Sequence, residues 1–181
     1  MVPPVGTKMW LSATLAGMAR LFLAVWPPAE LIEQLDALPR PDRPGVRWVP
    51  PANWHVTVRF LGDGEASDVQ AALAGATLPT ATAVFGPRVQ RLGQRALVVP
   101  VAGLEELVAA VGAATADVGE PPGSLPFNGH LTLARLRRGA IYDVKGAPIA
   151  AEVRVAEVVL VRSDLSREGP TYEIIDRWST R

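Results

Sequence analysis

A chain of 181 residues with 49% hydrophobic content can bury a sizeable core, as one domain or as two small lobes sharing it, which excludes wholesale disorder. Eighteen basic residues balance eighteen acidic ones, which argues against the broad basic field of a general nucleic-acid binder but not against a grip on one or two phosphates inside a cleft. With no cysteine there is no disulfide framework, thiolate nucleophile or zinc–thiolate site.

Lys8 and the run Met9–Ala19 loosely imitate a secretory leader, but Arg20 interrupts the run, which is too short and broken for a membrane-spanning helix. Met18 reads as a second start, with residues 1–17 as an extension ahead of a domain over 18–181, and the expected compartment is the cytoplasm. A core strand follows over Arg20–Trp26, then a helix from Pro28 to Leu38, whose first turn tolerates proline. Pro39–Pro44 makes a turn, Val46–Val49 a short strand, and Trp54–Leu61 a strand closed by Gly62. Glu65–Ala76 fits a helix, and Thr82–Gln90 with Ala96–Val101 a strand pair. Gly103–Val118 carries apolar residues at helical spacing (Leu104, Leu107, Val108, Val111). Strands are expected over His130–Arg135, Val153–Ser163 and Tyr172–Trp178. Helices interleaved with strands in this way indicate an α+β or α/β chain.

Two segments repeat one pattern about 75 residues apart: Asn53-Trp-His-Val-Thr-Val and Asn128-Gly-His-Leu-Thr-Leu. They contain the only two histidines, and their self-similarity suggests two related lobes, each contributing one such strand. Residues two apart on a strand share a face, so His55 and Thr57 point together, as do His130 and Thr132, while the intervening Val and Leu point into a core. Side by side near a pseudo-twofold axis, the strands would converge two imidazoles and two hydroxyls on one cavity. Histidine titrates near neutral pH, so one neutral ring can accept a proton from water while a protonated ring donates one to a departing oxygen. Threonine hydroxyls can donate to the phosphate oxygens as charge builds. The scheme needs neither metal nor cofactor.

At these residues the chain resembles the two-histidine phosphoesterase superfamily, in its RNA 2′,3′-cyclic phosphodiesterase (LigT-like, 2′-5′ RNA ligase) branch. The likeness runs through Arg20–Pro28, Arg47–Gly62, Phe127–Arg135, and Ser163 with Gly169–Tyr172. It implies an α+β fold of two pseudo-symmetric lobes, with antiparallel sheets facing across a central cleft and helices outside. It also implies opening of 2′,3′-cyclic phosphates on RNA ends or tRNA-like fragments, leaving a 2′-phosphomonoester, with reversible 2′-5′ joining; separately, a monomer without membrane association is expected. By position, His55 and His130 are its catalytic pair (His130 the base, His55 the acid), and Thr57, Thr132 and Arg135 hold the phosphate. Strict alternation places Arg135 opposite His130, so it reaches the cleft only where the strand twists or ends. Gly129 replaces the branch's usual proline and is expected to loosen the lead-in to that strand. Phe60 is expected in the core, Trp54 in packing ahead of stacking on a base, Arg59 on a solvated rim or a phosphate, and Ser163 and Tyr172 in ordinary packing ahead of lining the cleft. Other readings keep the site but change its use: a small cyclic nucleotide or ADP-ribose 1″,2″-cyclic phosphate as substrate, or a binding module without turnover. A metal held by the two histidines lacks a carboxylate or cysteine partner at motif spacing.

Overall fold

The computed structural model describes residues 20–181 apart from 124, 143, 167 and 168. The expected extension over 1–17 and the second start at Met18 lie outside the described residues. Ten strands are described: β1 Arg20–Val25, β2 Val46–Trp48, β3 Val56–Asp63, β4 Ala81–Phe85, β5 Gln90–Leu92, β6 Ala96–Ala102, β7 His130–Leu136, β8 Ala151–Val155, β9 Glu157–Ser166 and β10 Gly169–Ser179. Three helices accompany them, α1 Ala29–Asp36, α2 Ala66–Leu73 and α3 Glu105–Ala114.

Each helix buries an i, i+4 pair on the face it turns to the sheet: Leu31 and Leu35, Val69 and Leu73, Leu107 and Val111. These pack with Leu21, Leu23, Val56 and Leu131 in one large core. The alternate residues of β1, Phe22 and Ala24, point the other way, into a smaller cluster with Val159 and Val161 against which Trp26 and Tyr172 pack. β1 is therefore apolar on both faces, as a central strand should be.

The strands form one antiparallel sheet in the order β10-β9-β1-β3-β7-β6-β4-β8, with β2 added beside β7 and β5 beside β6. The α+β class is as expected, but the two expected sheets are continuous. They meet where β3 and β7 pair through Val56 and Leu131, the residues that follow the two histidines. On either side the chain repeats a strand–helix–strand unit: β1–α1–β3 with β1 antiparallel to β3, and β6–α3–β7 with β6 antiparallel to β7. The repeated sequence pattern thus has a counterpart in topology.

Two expected strands are divided. The one over 82–90 breaks at Gly86-Pro87, because proline has no N–H for the ladder. The one over 153–163 breaks at Ala156, since β8 pairs with β4 while β9 pairs with β1 and β10. That stretch serves both halves of the sheet, a change of partner invisible to local pattern.

Candidate active site

A cavity of about 440 Å³ opens over the β3–β7 junction. His55, Thr57, His130, Thr132 and Arg135 all line it. The five expected site residues therefore come together, drawn from positions up to 80 apart in the chain. Continuing the Val56–Leu131 register by one residue each way sets His55 across from Thr132 and Thr57 across from His130. Each imidazole thus faces the other strand's hydroxyl.

The two rings are held alike. His55 Nδ1 lies 2.8 Å from the Asn53 carbonyl oxygen, and His130 Nδ1 lies 2.8 Å from that of Asn128. A carbonyl can only accept, so both Nδ1 atoms carry the hydrogen, and both Nε2 atoms remain for chemistry. The repeated Asn-x-His spacing is, at the main chain, this contact. The Asn53 side chain also donates to the Pro170 carbonyl oxygen at 3.2 Å, tying the 3₁₀ turn Pro51–Asn53 to the start of β10.

The surroundings of the rings differ. His55 sits among three aromatic rings, with centroids 4.9 Å from Phe22, 5.4 Å from stacked Trp26 and 5.3 Å from edge-on Tyr172. Burial in this box lowers its pKa below the ordinary histidine value. The Asn53 hydrogen bond opposes that shift, and the nearby charges of Arg135 and His130 add to it. The Tyr172 phenol is pushed up by burial, against the pull of Arg135 and Arg47. Phe22 and Trp26 fall on one face of the first strand by period-two spacing. Their link to the histidine became visible only through the β1–β3 pairing.

A pair of β-bulges brings in Arg135. On β7 the register against β6 slips between Thr132 and Ala134, so Leu133 and Ala134 are both buried and Arg135 swings to the face of His130. On β3 the register against β1 slips between Thr57 and Arg59, at the equivalent place. Val58 and Arg59 are both buried there, and Phe60 turns outward to line the cavity at 41% exposure. Phe60 and Arg135 each stand five residues after their histidine. One half of the cleft therefore presents an aromatic ring where the other presents a cation.

Several expectations are corrected by these bulges. Phe60 is in the cleft rather than the core. Arg59 is neither on a rim nor on a phosphate: its guanidinium is buried and donates to the carbonyl oxygens of Phe60 (2.7 Å), Val118 (3.4 Å) and Glu120, holding the turn after α3. Ser163 on β9 and Tyr172 on β10 line the cavity, the less favoured of the two places open to them. Trp54 is fully buried, as expected. Gly129 is pressed against β6, where a Cβ would come 2.3 Å from the Val101 carbonyl oxygen, so the lead-in to His130 is tight rather than loose.

Among the described residues the lining includes three guanidiniums, Arg20, Arg47 and Arg135, and no carboxylate. Among the described residues none of the three has an ion-pair partner, and no group of three or more His, Asp or Glu could hold a metal ion. The charge of the described lining favours anions, beside two imidazoles and two hydroxyls.

Comparison with known proteins agrees with this chemistry. Residues 25–92 match the family model described as LigT like Phosphoesterase. The RNA 2′,3′-cyclic phosphodiesterase of Thermus thermophilus is 30% identical over 185 aligned positions, spanning 90% of each chain. A crystal structure of a phosphoesterase superposes with a TM-score of 0.73 at 28% identity, covering 90% of this chain and 98% of that one. Escherichia coli LigT, crystallised with 3′-AMP, superposes with a TM-score of 0.71 at 29% identity and the same coverage. The chain belongs to the LigT-like phosphoesterase family and is an enzyme of the cyclic phosphodiesterase type.

Proposed function

We propose that the protein hydrolyses 2′,3′-cyclic phosphates at RNA ends to 2′-phosphomonoesters, using His130 as base and His55 as acid, without a metal ion. The observation that carries this reading is the matched pair of imidazoles, each fixed through Nδ1 to a main-chain carbonyl, at one cavity lined by arginine. The relative from Thermus carries that activity in its name, and LigT binds a 3′-phosphorylated mononucleotide.

In this mechanism neutral His130 Nε2 takes a proton from water as the water oxygen attacks phosphorus. The bond from phosphorus to the 3′ oxygen breaks, and protonated His55 Nε2 gives its hydrogen to that oxygen. Thr57, Thr132 and Arg135 donate to the non-bridging oxygens as their charge grows. Burial in the aromatic box makes the His55 imidazolium a better proton donor than a free one, and the arriving phosphate anion favours the charged ring by offsetting the repulsion from Arg135. Phe60 offers an apolar face to the ribose or base. A 5′ hydroxyl in place of water would undergo the same proton transfers and form a 2′-5′ linkage.

The test is incubation of the protein with an oligoribonucleotide ending in a 2′,3′-cyclic phosphate, with and without a strong chelator, resolving 2′- from 3′-phosphate ends. The expected product is the 2′-phosphate in both reactions. A 3′-phosphate product, or activity lost with the chelator, contradicts the reading.

A further inference from the structure

The cleft holds more positive charge than one cyclic phosphate can use. A 2′,3′-cyclic phosphodiester carries a single negative charge, and Arg135 already stands on the face of both histidines. Arg47 stands directly opposite Arg135 in the β2–β7 ladder, and both side chains line the cavity. Like charges placed directly opposite on neighbouring strands destabilise a sheet, and among the described residues no carboxylate of the lining separates them. Packing does not account for Arg47 either, because it is exposed. Its guanidinium lies beside Gly169, where an added Cβ would come 3.7 Å from Nη2, at a residue whose φ of 131° favours glycine. β10 begins there, and its Tyr172 feels the charges of both Arg135 and Arg47. The two cations therefore act on one stretch of the cleft.

We infer that Arg47 forms a second phosphate subsite, which takes the internucleotide phosphodiester on the 5′ side of the terminal nucleotide while Arg135 serves the cyclic phosphate. The inference rests on the reading of the protein as an RNA-end phosphodiesterase and adds the feature that distinguishes a polynucleotide end from a cyclic mononucleotide. Arginine suits the role, since its planar fork meets two phosphate oxygens at once. The adjacent cations tolerate each other because each has an anion to face when RNA is bound. Arg20, on β1, supplies positive charge from a different strand of the sheet and is the natural control.

The experiment compares kcat/KM of the wild-type protein, Arg47→Gln and Arg20→Gln on two substrates, a cyclic 2′,3′-mononucleotide and an oligoribonucleotide ending in a 2′,3′-cyclic phosphate, across a salt series. Arg47→Gln is expected to lower kcat/KM on the oligonucleotide at least ~10-fold more than on the mononucleotide, which corresponds to the loss of one charged contact. The log–log salt slope for the oligonucleotide should become shallower by about 0.7, the value for one phosphate contact on a single strand. The melting temperature of the unliganded variant should stay level or rise, since a like-charge pair is relieved. Equal losses on both substrates, an unchanged salt slope, or selective loss in Arg20→Gln instead would overturn the assignment to Arg47. Wild-type protein inactive on both substrates would instead remove the RNA-end reading itself, so the two failures are distinguishable.

Discussion

Each imidazole at the cleft is committed through Nδ1 to the carbonyl of the asparagine two residues before it, which fixes both tautomer and aim. The rings then diverge through their neighbours, since burial in its aromatic box lowers the pKa of His55. Because Arg135 contributes to that shift, Arg135→Gln should raise the His55 pKa, read from the pH dependence of its ring proton signals. Saturating inorganic phosphate should raise it as well. An unchanged titration would mean that Arg135 and the anion lie outside its field. The same shift makes folding pH-dependent. An unfolded histidine titrates near 6.5, above the folded value of His55, so between the two the unfolded state binds more protons. Stability from this group is complete above pH 6.5 and is lost as pH falls through the folded pKa. His55→Gln should flatten that part of a denaturation-midpoint profile. The hydroxyls are separable from the rings, and replacing Thr57 or Thr132 by Val should lower kcat about 100-fold, the loss typical for one donor to a developing oxyanion, while KM changes less.

At the level of strands, the two matched bulges decide which side chains the cleft receives. The alternation that pairs each histidine with its threonine was legible in the sequence because it spans only three residues. Past Thr57 and Thr132 the same alternation fails, because an extra residue in each strand inverts the side chains that follow, on β3 as far as a second slip between Phe60 and Gly62. Arg135 and Phe60 therefore could not be placed by parity, and Arg59 was turned the wrong way. Buried beneath β3, Arg59 satisfies carbonyls in the turn that follows α3. Arg59→Leu would leave those acceptors without a donor and should cost about 1–3 kcal/mol each where they stay dry, visible as a lower urea midpoint. Gly129→Ala is the parallel test on the other strand. Its Cβ collides with the Val101 carbonyl, so displaced His130 should lower kcat even in molecules that remain folded. The aromatic box was legible only in part. Phe22 and Trp26 share a face by spacing, but the pairing that lays them beside His55 is a tertiary event.

Over the whole molecule, two strand–helix–strand units make a single sheet joined at Val56 and Leu131, and a long tail of strands crosses from one unit to the other. The repeat in the sequence announced the two units. The continuity of the sheet was not legible, because it depends on β3 and β7 pairing across a long stretch of chain. A core shared across the junction should unfold as one. Leu131→Ala is expected to cost about 2–5 kcal/mol, with tryptophan fluorescence and far-UV circular dichroism still reporting coincident transitions. Separate transitions would show two independently stable halves.

The joint action of the two imidazoles is tested most directly by single-turnover rates for His55→Asn, His130→Asn and the double variant on a cyclic-phosphate oligoribonucleotide. Each single substitution should slow the reaction at least ~100-fold, and the double variant should lose much less than the product of the two. A folded variant of either histidine that keeps a near-wild-type rate would contradict the account.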